Sequence, residues 1–156
     1  YNRELDFGLI IDKPFNSERI NSLSLKKQAM KVVVPLDHAY TKKTFVTIDD
    51  FKGETIILTE EGCTYRTYLL NQLEKNYIDF TLSMELSSIE TIKKAVQNKW
   101  GIGFLPAFSI EGHEEVVGIP FQDENFNFYS QLLYKKSSSH GPVYKHLISI
   151  FQKRVL

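Results

Sequence analysis

Leu82–Ala107 reads LSMELSSIETIKKAVQNKWGIGFLPA, and the fold of the whole chain follows from how this stretch is parsed. Thr81 to Leu86 alternates polar and apolar residues, the period of a half-buried strand. Ser87 stands three residues before Glu90, the spacing of a capping box, and predicts a helix start. Ile89, Ile92 and Val96 then recur at helical spacing and form one apolar face, with Lys93, Lys94 and Gln97 off it. Gly101 to Pro106 supplies a turn and a short apolar strand that the proline ends. Strand, helix and strand make a βαβ unit, which predicts a parallel sheet. Parallel α/β sheets take ligands beyond the carboxyl ends of their strands, where Glu85 to Ser88 fall.

Composition narrows the classes. The chain has 156 residues, enough for one ordinary domain or two small lobes. Apolar residues at 42% and charged ones at 24% describe a soluble globular protein. Nineteen basic residues balance nineteen acidic ones, so no overall field draws the chain to nucleic acid or an anionic membrane. Cys63 is the sole cysteine, which excludes an internal disulfide and fits a reducing cytoplasm. No apolar run approaches the roughly 18 residues of a membrane span. The chain starts at Tyr1 without a basic-then-apolar signal segment, and is expected to be an excised piece of something longer.

Outside the opening stretch, strands and helices alternate. Leu5 to Ile11 is a short β run closed by Asp12-Lys13-Pro14. Leu23 to Leu25 and the β-branched Ala29 to Val34 read as strands, and Pro35 to His38 as a turn. Thr55 to Leu58 is a buried strand, Glu60 to Cys63 a loop, and Thr64 opens a helix with Tyr65, Leu69 and Leu73 on one face. Glu111 to Glu115 is a polar loop, while Val116 to Phe121 and Phe126 to Tyr134 are strands. Ser137 to Pro142 forms a linker into a last helix carrying Val143, Leu147, Ile150 and Phe151.

Catalytic chemistry finds little support. No nucleophile-elbow or P-loop motif is present, the four histidines lack metal-ligand spacing, and one cysteine cannot build a zinc cluster. Glu60 and Glu61 could serve acid-base chemistry in a hydrolase, but paired carboxylates usually belong to a solvated loop. Cys63 precedes a helix N-terminus that would stabilise a thiolate; its flanking glutamates oppose that, so redox sensing is the weaker reading. Gly62-Cys63-Thr64 and Ser87-Ser88 remain, two loops of amide and hydroxyl donors at helix starts. Such residues hold small polar ligands, or simply cap their helices. The helix N-termini favour an anion and Glu60, Glu61 and Glu85 oppose one, so the ligand's charge stays open.

Leu5 to Ile10, Val32 to His38, Glu61 to Arg66 and Gly101 to Pro106 together resemble the effector-binding domain of LysR-type transcriptional regulators, in order and spacing, over essentially the whole chain. That resemblance implies an α/β fold like a type II periplasmic binding protein: two lobes, joined by crossover strands at Lys31 to Pro35 and Val116 to Phe121, with an effector cleft between them. Residues 1–32 and 119–156 would form lobe I, incomplete for want of its first strand-helix units, and 33–118 would form lobe II. The implied ligand wall is Asp12 from lobe I with Gly62, Cys63, Thr64, Ser87, Gly101 and Phe104 from lobe II; Phe104 would pack on the ligand's apolar part. Lys99 stands where the family usually has a glycine, and Ala39 replaces a usual proline.

The resulting expectation is a cytoplasmic sensor of a small-molecule effector, without catalysis, metal or cofactor. Homo-oligomers, dimer or tetramer in the parent protein, would use the helix from Thr64 to Lys75, with Tyr68, Leu69 and Arg66 at the contact. DNA would be reached only through a separate helix-turn-helix domain, and membranes not at all. The competing class is a transport-type periplasmic solute-binding protein, which would share the fold.

Overall fold

A computed structural model describes residues 7–112, 115–136 and 141–155. Leu5 and Asp6 of the first predicted strand, His113 and Glu114 of the polar loop, and the Ser137 to His140 linker lie outside the described residues. The chain divides into two compact units, Ala29–Asn125 and the pair Tyr1–Gln28 with Phe126–Leu156.

The Ala29–Asn125 unit is built on a five-stranded sheet. Its strands are β3 (Met30–Pro35), β4 (Thr55–Thr59), β5 (Thr81–Leu86), β6 (Ile102–Pro106) and β7 (Val116–Pro120), in the order β5-β4-β6-β3-β7. β4 pairs in parallel with both β5 and β6, as the βαβ reading requires. β3 runs antiparallel to β6 and β7, so the sheet is mixed rather than parallel throughout. Both expected crossover strands pair in this sheet, which puts the division between units at 28/29 and 125/126 rather than at 33 and 118.

Helix α1 (Thr64–Lys75) connects β4 outward to β5, and α2 (Ile89–Gln97) returns from β5 past β4 to β6. Right-handed crossovers in opposite directions put their helices on opposite faces. Ile92, Ala95 and Val96 of α2 pack with Val33, Ile57 and Leu105 on one face. Gly103 makes this approach possible, since a Cβ there would lie 3.2 Å from Ile92 and 3.4 Å from Val96. The other face carries Phe104, whose ring meets Phe51, Tyr65 and Phe121 edge-on. Leu69 and Leu73 of α1 are fully buried. Each such side chain contributes about 1.5–3 kcal/mol on burial.

Three local expectations are corrected. The cap of α2 is Ser88, not Ser87: its hydroxyl accepts from the Thr91 amide at 3.1 Å. Glu90 therefore does not close a capping box and instead meets Lys93 Nζ at 2.6 Å. Lys93, placed off the apolar face by its charge, is buried and donates to the Ser109 carbonyl at 3.0 Å, its methylene stem crossing the apolar layer. The expected oligomer contacts on α1 are occupied internally. Tyr68 and Leu69 are buried, Tyr68 donating to the Asp123 carboxylate at 2.6 Å, and Arg66 pairs with Glu85 of its own chain.

Helix α2 ends in two reverse bonds, Lys99 N–H to the Val96 carbonyl at 2.9 Å and Trp100 N–H to the Ala95 carbonyl at 3.1 Å. This termination needs a left-handed residue, and Lys99 supplies it at φ 63° without being glycine. The strain costs about 1 kcal/mol.

The smaller unit is an antiparallel sheet ordered β1-β8-β2, from β1 (Phe7–Asp12), β2 (Ile20–Gln28) and β8 (Phe128–Lys135). The two ends of the chain thus pair with each other. Helix α3 (Pro142–Val155) starts at the predicted proline, and its Tyr144 stacks on Phe7 at 4.6 Å between centroids. Gln131 of β8 is fully buried. Its amide donates to the carbonyls of Asp12 and Lys13 at 2.9 and 2.8 Å and accepts from the Phe15 amide at 2.9 Å, which fixes the turn after β1. No helix among the described residues is long and apolar enough to cross a membrane.

Candidate functional site

Parallel pairing aligns the ends of β4 and β5, Thr59 opposite Leu86. The loops that follow, Glu60 to Cys63 and Ser87-Ser88, therefore leave adjacent strands at one edge of the sheet, about 5 Å apart. β3 enters the sheet and β7 leaves it at that same carboxyl edge, since Met30 pairs with Pro106 and Lys31 with Pro120. Gly62, Cys63, Thr64 and Ser87 are brought together there.

Gly62 turns the chain with φ +97°, a conformation that disfavours any residue with a side chain. Cys63 is the N-cap of α1, half-buried, and its thiol makes no capping bond. The amides of a first helical turn have no partner within the helix, and those of α1 lie at this edge. Ser87 is exposed and released from capping, because Ser88 performs it. Behind these residues Arg66 Nε is buried without a hydrogen-bond partner among the described residues, and the buried Thr59 hydroxyl neighbours the Tyr65 phenol. Burial first, and the Cys63 thiol second, push the Tyr65 phenol up, so it stays a neutral hydroxyl. Glu60 and Glu61 are exposed on the turn.

Gly101 and Phe104 of the implied wall are placed elsewhere in the sheet. Gly101 precedes β6 and so sits at the opposite, amino edge, roughly 16 Å from the carboxyl edge at the rise of a strand. A Cβ at Gly101 would lie 2.7 Å from the Thr55 carbonyl oxygen, and that close approach explains the glycine. Phe104 is fully buried in the aromatic cluster under α1, in the middle of β6. Asp12 belongs to the smaller unit, at the end of β1, where its carboxylate accepts from the Lys13 amide at 2.7 Å.

Sequence reasoning missed the Arg66–Glu85 pair, in which Nη2 lies 2.6 Å from Oε2 and the arginine side chain is 11% exposed. One signal was available. Met84 and Leu86 turn toward α2, so the alternation of β5 sends Glu85 to the α1 face. Thr59 carried no comparable signal. Among the described residues no group of His, Cys, Asp and Glu side chains is arranged to hold a metal ion.

The sequence matches the LysR substrate binding domain family over residues 1–155. The uncharacterized HTH-type transcriptional regulator YwqM of Bacillus subtilis (strain 168) is 29% identical over 154 residues, covering 96% of this chain and 52% of that protein. The HTH-type transcriptional activator CmpR of Synechocystis sp. is 26% identical, covering 81% of this chain and 44% of its own. The chain thus spans about half the length of these curated relatives. Among solved structures, the regulatory domain of Synechocystis PCC6803 CcmR in complex with 2-PG superposes with TM-score 0.85 at 18% identity, covering 99% of this chain and 75% of that one. The effector binding domain of QuiR in complex with shikimate gives 0.79 at 19% identity, covering 99% and 73%. At these identities the likeness establishes the fold, that of the periplasmic-binding-protein-like regulatory domains. The chain belongs to the LysR substrate-binding domain family.

Proposed function

We propose that this chain is the effector-sensing part of a LysR-type regulator, and that a small polar molecule binds at the carboxyl edge of the Ala29–Asn125 sheet. The observation that carries the reading is the convergence there of two helix-start loops, Gly62-Cys63-Thr64 and Ser87-Ser88, of which Ser87 is exposed and does not cap its helix. Amides of the first turn of α1 and the hydroxyls of Thr64 and Ser87 hold the ligand's polar end. Gly101 and Phe104 support the sheet rather than touch the ligand. Binding favours one arrangement of an oligomer of the parent protein and so alters its DNA-binding heads in the cytoplasm. The chain itself performs no catalysis. The matching relatives bear the names of HTH-type regulators, which supports the sensor over a transport-type binding protein.

Thermal unfolding with 2-PG, shikimate and a panel of small organic acids and polyols tests this directly. A ligand present at about 100 times its Kd adds about 2.7 kcal/mol and raises Tm by several degrees. At least one panel member is expected to do so, and the double variant Thr64→Val, Ser87→Ala to lose the effect. A panel that leaves Tm unchanged, or a variant that responds like the parent chain, would overturn the reading.

A further inference from the structure

A concave surface of the Ala29–Asn125 unit lies at its amino edge. The turn after β3, the residues before β4 and the end of α2 line an open cavity of about 470 Å³, walled by Pro35, His38, Glu54, Trp100 and Gly101 among others. A second hollow of about 480 Å³ adjoins it and shares Pro35, Asp37 and Lys99. The shared wall is an ion pair, Lys99 Nζ to Asp37 Oδ2 at 2.5 Å.

The charges in the cavity do not cancel. Lys99 is matched by Asp37, whose carboxyl its hydrogen bond holds below the ordinary value. His38 Nδ1 accepts the Tyr40 amide at 3.1 Å, so a neutral imidazole keeps its proton on Nε2, which faces Glu54 at 3.9 Å. Burial and the adjacent Glu54 carboxylate push the Tyr40 phenol up, so Tyr40 adds no charge of its own. Glu54, its side chain 25% exposed, has the His38 ring and the Tyr40 hydroxyl as polar neighbours but no Lys or Arg counter-charge among the described residues, so the lining carries a net negative charge. Beside it the Trp100 indole is 57% exposed, a large apolar surface that the fold leaves uncovered. Lys99 reaches this rim at the expense of left-handed strain that a glycine would avoid.

We propose that this amino-edge cavity is a second small-molecule site, for an organic cation whose amine or guanidinium meets Glu54 and whose apolar body packs on Trp100. A carboxylate and an aromatic face are complementary to a cation in the same way, one through its charge and the other through its quadrupole. The site is independent of the carboxyl edge, from which the length of the sheet separates it.

Trp100 is the only tryptophan in the chain, so its fluorescence reports on this cavity alone. The test titrates the chain with benzylamine, with its neutral counterpart benzyl alcohol and with anionic benzoate, each to about 10 mM, the range in which ligands of this size bind. A saturable change with benzylamine, absent with the other two, is expected. Glu54→Gln should weaken benzylamine about fivefold, as for a partly exposed charge pair, and Ser87→Ala should leave it unchanged. No saturation with benzylamine, an equal response to benzyl alcohol or benzoate, an unchanged affinity in Glu54→Gln, or a loss in Ser87→Ala would each overturn the assignment. The charge series needs no variant, so a Glu54→Gln chain that failed to fold would leave the test intact.

Discussion

Ser87 and Ser88 are adjacent and chemically identical, yet the fold separates their roles. Ser88 Oγ takes the Thr91 amide, so Ser88→Ala should lower stability by about 1 kcal/mol in urea unfolding. Ser87→Ala should change it by less than about 0.5 kcal/mol while weakening the effector. The reverse order of stabilities would move the cap back to Ser87. The spacing to Glu90 pointed to Ser87 because a capping box is a local pattern, but the cap is set by where β5 releases the chain, at Leu86. Asp50 gives a second test. Burial alone would raise its carboxyl, but Lys43 at 2.7 Å and the Thr47 amide at 2.9 Å outweigh it and hold the pKa below the ordinary 3.8. A carboxylate depressed on folding stabilises above its unfolded value, and the contribution fades as pH falls through the depressed one. Asp50→Asn should therefore be less stable than the parent chain at neutral pH, and the difference should shrink steadily below about pH 3.8. A difference that persists unchanged at low pH would mean that the carboxylate's charge is not what Lys43 and Thr47 recognise.

The two crossover helices were legible because their signals are local: Ile89, Ile92 and Val96 for α2, and Tyr65, Leu69 and Leu73 for α1, all recur within a few residues. What joins elements was not. Arg66 and Glu85 are separated by 19 residues, and only the register of β5 on β4 brings them together. Glu85→Gln leaves a largely buried guanidinium short of its counter-charge and should cost about 1–3 kcal/mol, measured as a shift in the urea midpoint at constant slope. A change below about 0.5 kcal/mol would show that solvent, rather than Glu85, satisfies Arg66. Phe104 was a ligand contact only by the family resemblance. The sheet is covered on both faces, however, and every residue of β6 is buried. At the end of α2, Lys99→Gly removes the left-handed strain at φ 63° and an exposed ion pair worth little. It should leave stability unchanged or raise it by up to about 1 kcal/mol, read as Tm. A marked loss would mean that the Asp37 pair holds the turn after β3 more strongly than an exposed pair ordinarily does.

The family and the two-unit organisation could be read from four short stretches in the right order, because each marks a place where the backbone is constrained: a strand end, a glycine turn or a proline stop. The mixed direction of the sheet could not, since nothing between β3 and β4 has the periodicity of a crossover helix to fix their relative sense. Gly101 entered the ligand wall through the family resemblance, whereas its turn precedes a parallel strand and therefore opens on the amino edge, opposite the loops that follow β4 and β5. One edge of the Ala29–Asn125 sheet thus gathers the proposed effector groups and the other a separate cavity. Amide chemical-shift mapping of the isotopically labelled chain, titrated with any ligand that raises its Tm in the organic acid and polyol panel, distinguishes them most directly. Effector binding at the carboxyl edge predicts the largest shifts at Gly62, Cys63, Thr64, Ser87 and Ser88, with Gly53, Lys99 and Trp100 unmoved. Shifts concentrated at Gly53, Lys99 and Trp100, with the loops after β4 and β5 silent, would contradict it.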